Sequence, residues 1–264
     1  MPAATVTYNG PRRPPPPRAP SLSREGEEQR PVSIAMRAAY THPMPPVRLA
    51  IFDCDGTLVD SQANICRAME AAFELHGAPP PPRAAIRRIV GLSLVEAVRM
   101  LSPERDDLFH RRLAEDYKQV FRLMRADARL DDEPLFEGVA EVLDTLRGRG
   151  WTLGVATGKS DRGLAHVLAT HGIADRFATL QTADRHPSKP NPAMALAAMA
   201  EVGAAPADCV MIGDTSFDMA MGRAAGARAV GVAWGYHAVG ELIAAGAEVV
   251  ATQPSALPKL LEAP

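Results

Sequence analysis

The residue types best suited to chemistry fall in four short segments. Asp53-Cys54-Asp55-Gly56-Thr57 follows one apolar run, Thr157-Gly158-Lys159-Ser160 a second and Gly213-Asp214-Thr215-Ser216-Phe217-Asp218 a third, while Ser188-Lys189-Pro190-Asn191-Pro192 delivers a lysine just ahead of a helix. Carboxylates gathered at one edge repel one another unless a cation or a proton sits among them. A small set of hard oxygen ligands suits Mg2+, which keeps several waters and completes its shell with substrate phosphate. The segments together ask for a metal and an anion.

Each segment alone has a plainer explanation. Asp-x-Asp-Gly is common in turns, since Asp and Gly accept tight backbone geometry. As a calcium loop it fails, because Gly56 comes two positions early and Asn64 stands where the bidentate Glu belongs. Residues 154–160 lie between strand and helix and end in Gly-Lys-Ser, yet three residues rather than four separate the glycines. A cradle of backbone N–H groups depends on that loop length, which argues against a nucleoside-triphosphate loop. Lys189 by itself fits a solvated surface, and Asp214 and Asp218 by themselves fit helix N-terminal charges. Their joint position after apolar runs is what overturns the plainer explanations.

The elements that must position these segments read as alternating β and α units. Short apolar runs at residues 49–52, 152–156, 177–181, 209–212 and 229–232 predict strands, and helical spacing predicts helices over 139–149, 162–171, 192–202 and 217–225. Pro192 near a helix start and Gly226 past a helix end are the expected punctuation. This is the pattern of an α/β fold, a Rossmann-like parallel sheet covered on both faces, where ligands bind outside the carboxyl ends of the strands. The connection from the first strand to the second is far longer than the dozen or so residues a crossover needs. Within it Ile65, Met69 and Phe73 form one helical stripe, Leu94, Val95, Val98 and Leu101 another, and Phe109, Leu113, Tyr117, Val120 and Met124 a third. They predict an inserted helical subdomain over 61–133, with residues 79–82 as a stiff proline turn between its first two helices. The α/β core is then 47–60 together with 134–264.

Composition narrows the function classes. In 264 residues, 29 basic and 31 acidic side chains leave a net charge of −2, with no basic footprint for nucleic acid; the insertion itself carries 12 basic and 12 acidic residues. No apolar run reaches the roughly 18 residues of a membrane span, and no secretory leader is visible at the N-terminus. Three cysteines at irregular spacings fit a reducing cytoplasm. Residues 1–46 hold 11 of the 24 prolines and few large apolar side chains, so a disordered tail is expected there. Met36 and Met44 stand just upstream of the first strand, and an intact mass would tell whether the tail is translated. No feature sets the oligomeric state.

Asp53-Cys54-Asp55-Gly56-Thr57-Leu58-Val59-Asp60-Ser61, then Thr157, Lys189, and Gly213-Asp214 with Asp218 reproduce in order the four motifs of the haloacid dehalogenase superfamily, which the chain resembles over residues 47–260. The resemblance is to the branch with a helical cap between the first two motifs, and within it to phosphoglycolate phosphatase-like enzymes acting on small phosphorylated metabolites. It implies a sheet of order 5-4-1-2-3. It also implies that Asp53 is the nucleophile, Asp55 the general acid and base, and Thr157, Gly158 and Lys189 the phosphate-binding residues. Mg2+ would be held by Asp53, Asp214 and Asp55, the last through its backbone carbonyl, with Asp218 in support. Dehalogenases of the superfamily usually carry tyrosine and phosphonate-cleaving members alanine where Asp55 stands, so a phosphate ester is expected. A sugar-phosphate mutase of the same superfamily and a non-catalytic phosphometabolite-binding module are the alternatives. In the cap, Arg87, Arg88, Leu92 and Ser93 near the Gly91 turn are candidates for touching the rest of the substrate.

Overall fold

The structure is a computed structural model and describes residues 46–262, so the proline-rich tail predicted over 1–46 lies outside the described residues but for Pro46. Strand β1 (Arg48–Phe52) is followed by four helices, α1 (Gln62–Leu75), α2 (Arg83–Arg88), α3 (Leu94–Leu101) and α4 (Asp107–Ala126). The chain then alternates α5 (Val139–Gly148), β2 (Trp151–Thr157), α6 (Asp161–Thr170), β3 (Thr179–Thr182), α7 (Ala193–Val202), β4 (Cys209–Gly213), α8 (Ser216–Ala224) and β5 (Arg228–Val232). Helix α9 (Val239–Ala244), strand β6 (Val249–Ala251) and helix α10 (Leu257–Leu260) complete it. All six strands are parallel, in the order β3-β2-β1-β4-β5-β6. That is the expected 5-4-1-2-3 arrangement with one further strand at the β5 edge.

Alternation along β1 explains why it is central. Ala50 and Phe52 face a core built with Leu143 and Leu146 of α5 and Leu164 of α6, while Leu49 and Ile51 face Met194, Ala195 and Met199 of α7. Both faces are therefore dry, and each aliphatic side chain of this size contributes roughly 1.5–3 kcal/mol by its burial. Cys54 continues into the first core, and all three cysteines are free and buried. The insertion has its own core, in which Ile65, Met69 and Phe73 of α1 pack with Val98 of α3 and Leu113 of α4. Phe217 and Tyr236 from the sheet side pack against that core and join the two parts.

The differences from expectation are local. Strand β3 begins two residues later than the apolar run, because a short 3-10 turn at Ala174–Arg176 runs directly into Phe177. Helix α2 after the prolines and the half-buried three-residue β6 are too short for periodicity to reveal. On α4 the stripe is fully buried only at Leu113; Tyr117, Val120 and Met124 are half-buried. Among the described residues no helix is long and apolar enough to cross a membrane.

Candidate active site

Strand ends place the acids. Asp53 directly follows β1, and its N–H extends the ladder by donating to the Ile212 carbonyl of β4 at 2.9 Å. Asp214 directly follows β4, and Asp218 lies in the first turn of α8. All three are fully buried, and ligand oxygens of the three lie within 4.8 Å of one another. Lys189 is buried with them, its Nζ 2.8 Å from Asp53 Oδ1 and 2.6 Å from Asp218 Oδ1.

The three carboxylates are satisfied to different degrees. Asp218 is saturated: Oδ1 takes Lys189, and Oδ2 accepts from the Thr215 N–H at 3.0 Å and its hydroxyl at 2.6 Å, closing a capping box on α8. Asp214 has one partner on each oxygen, the Thr57 hydroxyl at 2.8 Å and the Tyr236 N–H at 2.9 Å. Asp53 has no hydrogen-bond partner of ordinary geometry on either oxygen, and Oδ1 is held by the Lys189 ion pair alone. Burial, with the charges of Asp218 and Asp55, pushes the Asp53 carboxyl up to about 7 against the pull of Lys189. Burial and the charges of Asp53 and Asp218 likewise hold Asp214 well above the carboxylate range. Lys189 is raised: burial opposes its charge, but Asp218 and Asp53 outweigh it. An orphaned buried carboxylate beside a half-satisfied one is a donor pair that fits a hard divalent cation. Space is kept for it by glycine, since a Cβ at Gly56 or at Gly235 would fall on the Asp214 carboxylate.

Asp55 is turned elsewhere. Its Oδ1 accepts from the Ser61 hydroxyl and pairs with Lys159 Nζ at 2.8 Å, so its carboxylate is outside the Asp53–Asp214–Asp218 group. Oδ2 and the main-chain carbonyl of Asp55 accept no hydrogen bond from a described residue. Thr157 ends β2 fully buried, and its hydroxyl accepts from the Lys159 N–H at 3.2 Å, leaving its own proton free to donate. Gly158 lies directly under the insertion: a Cβ there would strike the Leu92 carbonyl and come within 2.7 Å of that of Gly91. Gly91, at φ +97°, roofs the site, the position of its missing Cβ being 3.8 Å from Asp53 Oδ2 and 3.4 Å from Thr215 Oγ1.

A cavity of about 410 Å3 opens between insertion and sheet, with Asp55, Lys159, Leu92 and Ser93 in its wall. Arg87 and Arg88, expected to reach the substrate, do not line it. Helix α2 carries both outward: Arg88 pairs with Glu241 at 2.6 Å, and Arg87 is exposed beside Cys66. Sequence reasoning also missed Lys159, Ser61, Thr57 and Tyr236. The first three stand inside the motifs themselves, but Tyr236 contacts Ser61 from 175 positions away, its hydroxyl accepting from the Ser61 N–H at 3.3 Å.

Comparison with known proteins agrees with this geometry. Residues 50–232 match the haloacid dehalogenase-like hydrolase family. The chain is 38% identical over 207 residues to “Probable phosphatase IndB” of Dickeya dadantii (strain 3937), covering 76% of this chain and 88% of that one. It is 29% identical over 191 residues to the phosphoglycolate phosphatase of Xylella fastidiosa (strain 9a5c), covering 72% and 82%. A crystal structure of a hydrolase from Pseudomonas syringae superposes with a TM-score of 0.71 at 29% identity, over 81% of this chain and 97% of that one. Sequence match, sheet order and the acids at the strand ends agree: the chain belongs to the haloacid dehalogenase-like hydrolase family.

Proposed function

We propose that the chain is a phosphatase that hydrolyses a small phosphate monoester of the cytoplasm through an aspartyl-phosphate on Asp53, with Mg2+ as cofactor. The observation that carries this reading is the orphaned Asp53 carboxylate, buried beside Lys189 and Asp214 at the end of the central strand. Asp53 Oδ2 forms a bond to phosphorus as the ester P–O bond breaks, and the Asp55 carboxyl gives its proton to the departing alkoxide. Water then attacks the phosphoryl-enzyme and gives a proton back to Asp55, releasing inorganic phosphate and Asp53. Lys189 and the Thr157 hydroxyl hold phosphoryl oxygens, with the Gly158 N–H as a further donor. Asp218, fully bonded, orients Lys189. Asp53, Asp214 and the Asp55 carbonyl would hold the cation, which supplies charge stabilisation on the transferring oxygens. Residues 61–133 act as a cap that excludes water, and the Gly91 roof has to lift for an ester to reach Asp53.

The test is phosphate release from a panel of monoesters with Mg2+ or EDTA, in the native protein and Asp53→Asn. Metal-dependent release that disappears in the folded variant supports the reading. Equal release from both proteins overturns the covalent step, and interconversion of sugar phosphates without net phosphate release moves the assignment to a mutase. Binding without turnover of any ester leaves a phosphometabolite-binding module.

A further inference from the structure

The cavity wall on the insertion side carries information that the phosphoryl site does not. Water takes about 30 Å3 per molecule in the liquid, so glycolate, with five non-hydrogen atoms, would fill roughly 150 Å3, well under half of the 410 Å3 present. Pockets of this size take ligands larger than a two-carbon acid.

The lining has the matching chemistry. Tyr117 and Phe121 stand one turn apart on α4, ring centroids 5.8 Å from each other and planes tilted by 38°, and both are half-buried. Tyr117 also packs against the core of the insertion, and Phe121, one turn on, continues the aromatic surface along the cavity. The Tyr117 hydroxyl makes no hydrogen bond to any described residue. Arg125 lies over the Phe121 ring, 5.2 Å from its centroid, and neither Arg125 nor Arg162 across the cavity forms an ion pair among the described residues. The remaining cations of the wall are committed. Lys159 is held by Asp55 and Lys118 by Glu115, each at 2.8 Å, and the Arg122 guanidinium donates to the Lys118 carbonyl. An aromatic ledge thus adjoins one free hydroxyl and two unpaired guanidiniums, all of which can donate to acceptor atoms.

We infer that the substrate, on the phosphatase reading above, is a phosphate monoester whose alcohol carries a flat ring with acceptor edges, of nucleoside size, rather than a two-carbon acid. The ring lies on Tyr117 and Phe121, its acceptor atoms meet the Tyr117 hydroxyl, Arg125 and Arg162, and the ester oxygen meets Asp55.

Uridine 5′-monophosphate, ribose 5-phosphate and phosphoglycolate are the probes, differing in the presence of the ring and of the sugar. The expected kcat/KM for the nucleotide exceeds that for ribose 5-phosphate by about tenfold, the lower range of one base–aromatic stack, with phosphoglycolate slower still. Phe121→Leu is expected to reduce the nucleotide-to-ribose ratio at least about fivefold on the same basis. Phosphoglycolate turnover equal to or faster than the nucleotide's, or a ratio unchanged in Phe121→Leu, overturns the inference while leaving the phosphatase intact. If no ester releases phosphate, the phosphatase reading fails, and calorimetric titration of the same three compounds still decides the ring: equal affinities for nucleotide and ribose 5-phosphate overturn it.

Discussion

The phosphoryl site and the cavity that opens beside it are built differently. On the sheet side Asp53, Asp214, Asp218 and Lys189 are fully buried, short of freedom and mutually dependent. On the insertion side Tyr117, Phe121 and Arg125 are half-buried, and the hydroxyl and guanidinium among them make no ion pair or hydrogen bond to a described residue. Buried charges need fixed partners, so the sheet side can hold a single arrangement and a single chemistry. Half-exposed groups retain water as an alternative partner and can exchange it for a ligand. On the proposed function and the inference drawn from the cavity, the contrast separates phosphoryl transfer, committed by the fold, from recognition, left to side chains that the fold does not consume.

The sharpest way to break that contrast is Lys189→Met. Removing the one cation between Asp53 and Asp218 strands two buried carboxylates, which is expected to cost about 3–5 kcal/mol and to abolish phosphate release. The Asp53 carboxyl already sits near 7 with the lysine present and rises further without it. A native state that keeps protons the unfolded chain has released loses stability as pH rises. Urea melts should therefore show a deficit that is steady below about pH 7, where both folded proteins keep the Asp53 proton, and that grows above it. A pH-independent deficit would mean that the carboxylates are not the cause.

Mg2+ should produce the next largest effect. The raised carboxyls of Asp53 and Asp214 impose no cost below their unfolded pKa; the cost grows as pH rises, that of Asp53 being complete above about 7, and a bound cation offsets it. At a hundred times its Kd the ion stabilises by about 2.7 kcal/mol, so a rise in Tm is expected that is larger near pH 8 than near pH 5. Asp214→Asn should lose that rise, and a rise that persists there would place the cation elsewhere.

Gly91→Ala sharpens the contrast at the boundary between site and cavity. The residue sits at φ +97°, a backbone conformation that a side chain strains, while a Cβ would stand in ordinary contact with Thr215 and Asp53, so a stability loss of about 1 kcal/mol is expected together with a several-fold fall in kcat/KM. A stability loss with unchanged kcat/KM would free the roof of any part in closure. Arg88→Met is the smallest change. Its guanidinium meets Glu241 in solvent, outside the cavity, and neither Tm nor the order of preferred esters should move measurably.

Much of the sheet side was legible in the sequence, because Asp53 and Asp214 directly follow their strands, Asp55 and Asp218 come within five residues of the same strand ends, and the apolar strands are conspicuous. Asp53, Asp55, Asp214 and Lys189 stand out by residue type and spacing alone, and the order of the five strands through them was as expected. The insertion side was far less legible. Arg87 and Arg88 lie close to the Gly91 turn in sequence, yet a single turn of α2 carries both away from the cavity. Tyr117 reads as an ordinary core position of α4, because helical spacing says that a face is apolar without saying whether protein or ligand covers it. Lys159 was visible inside a segment read as a failed phosphate loop, but its pairing with Asp55 was not.

The sequence by itself determined the chemistry: apolar runs make strands, strands make a parallel sheet, and the residues after them must gather at its carboxyl edge. Only the tertiary structure decided which oxygens are left without partners, which cations are already paired and how much space lies above Asp55. Those properties belong to contacts such as Thr57 with Asp214, 157 positions apart, and Ser61 with Tyr236, 175 apart. Saturation and cavity volume are set by how distant segments pack, and no local pattern of residues encodes them.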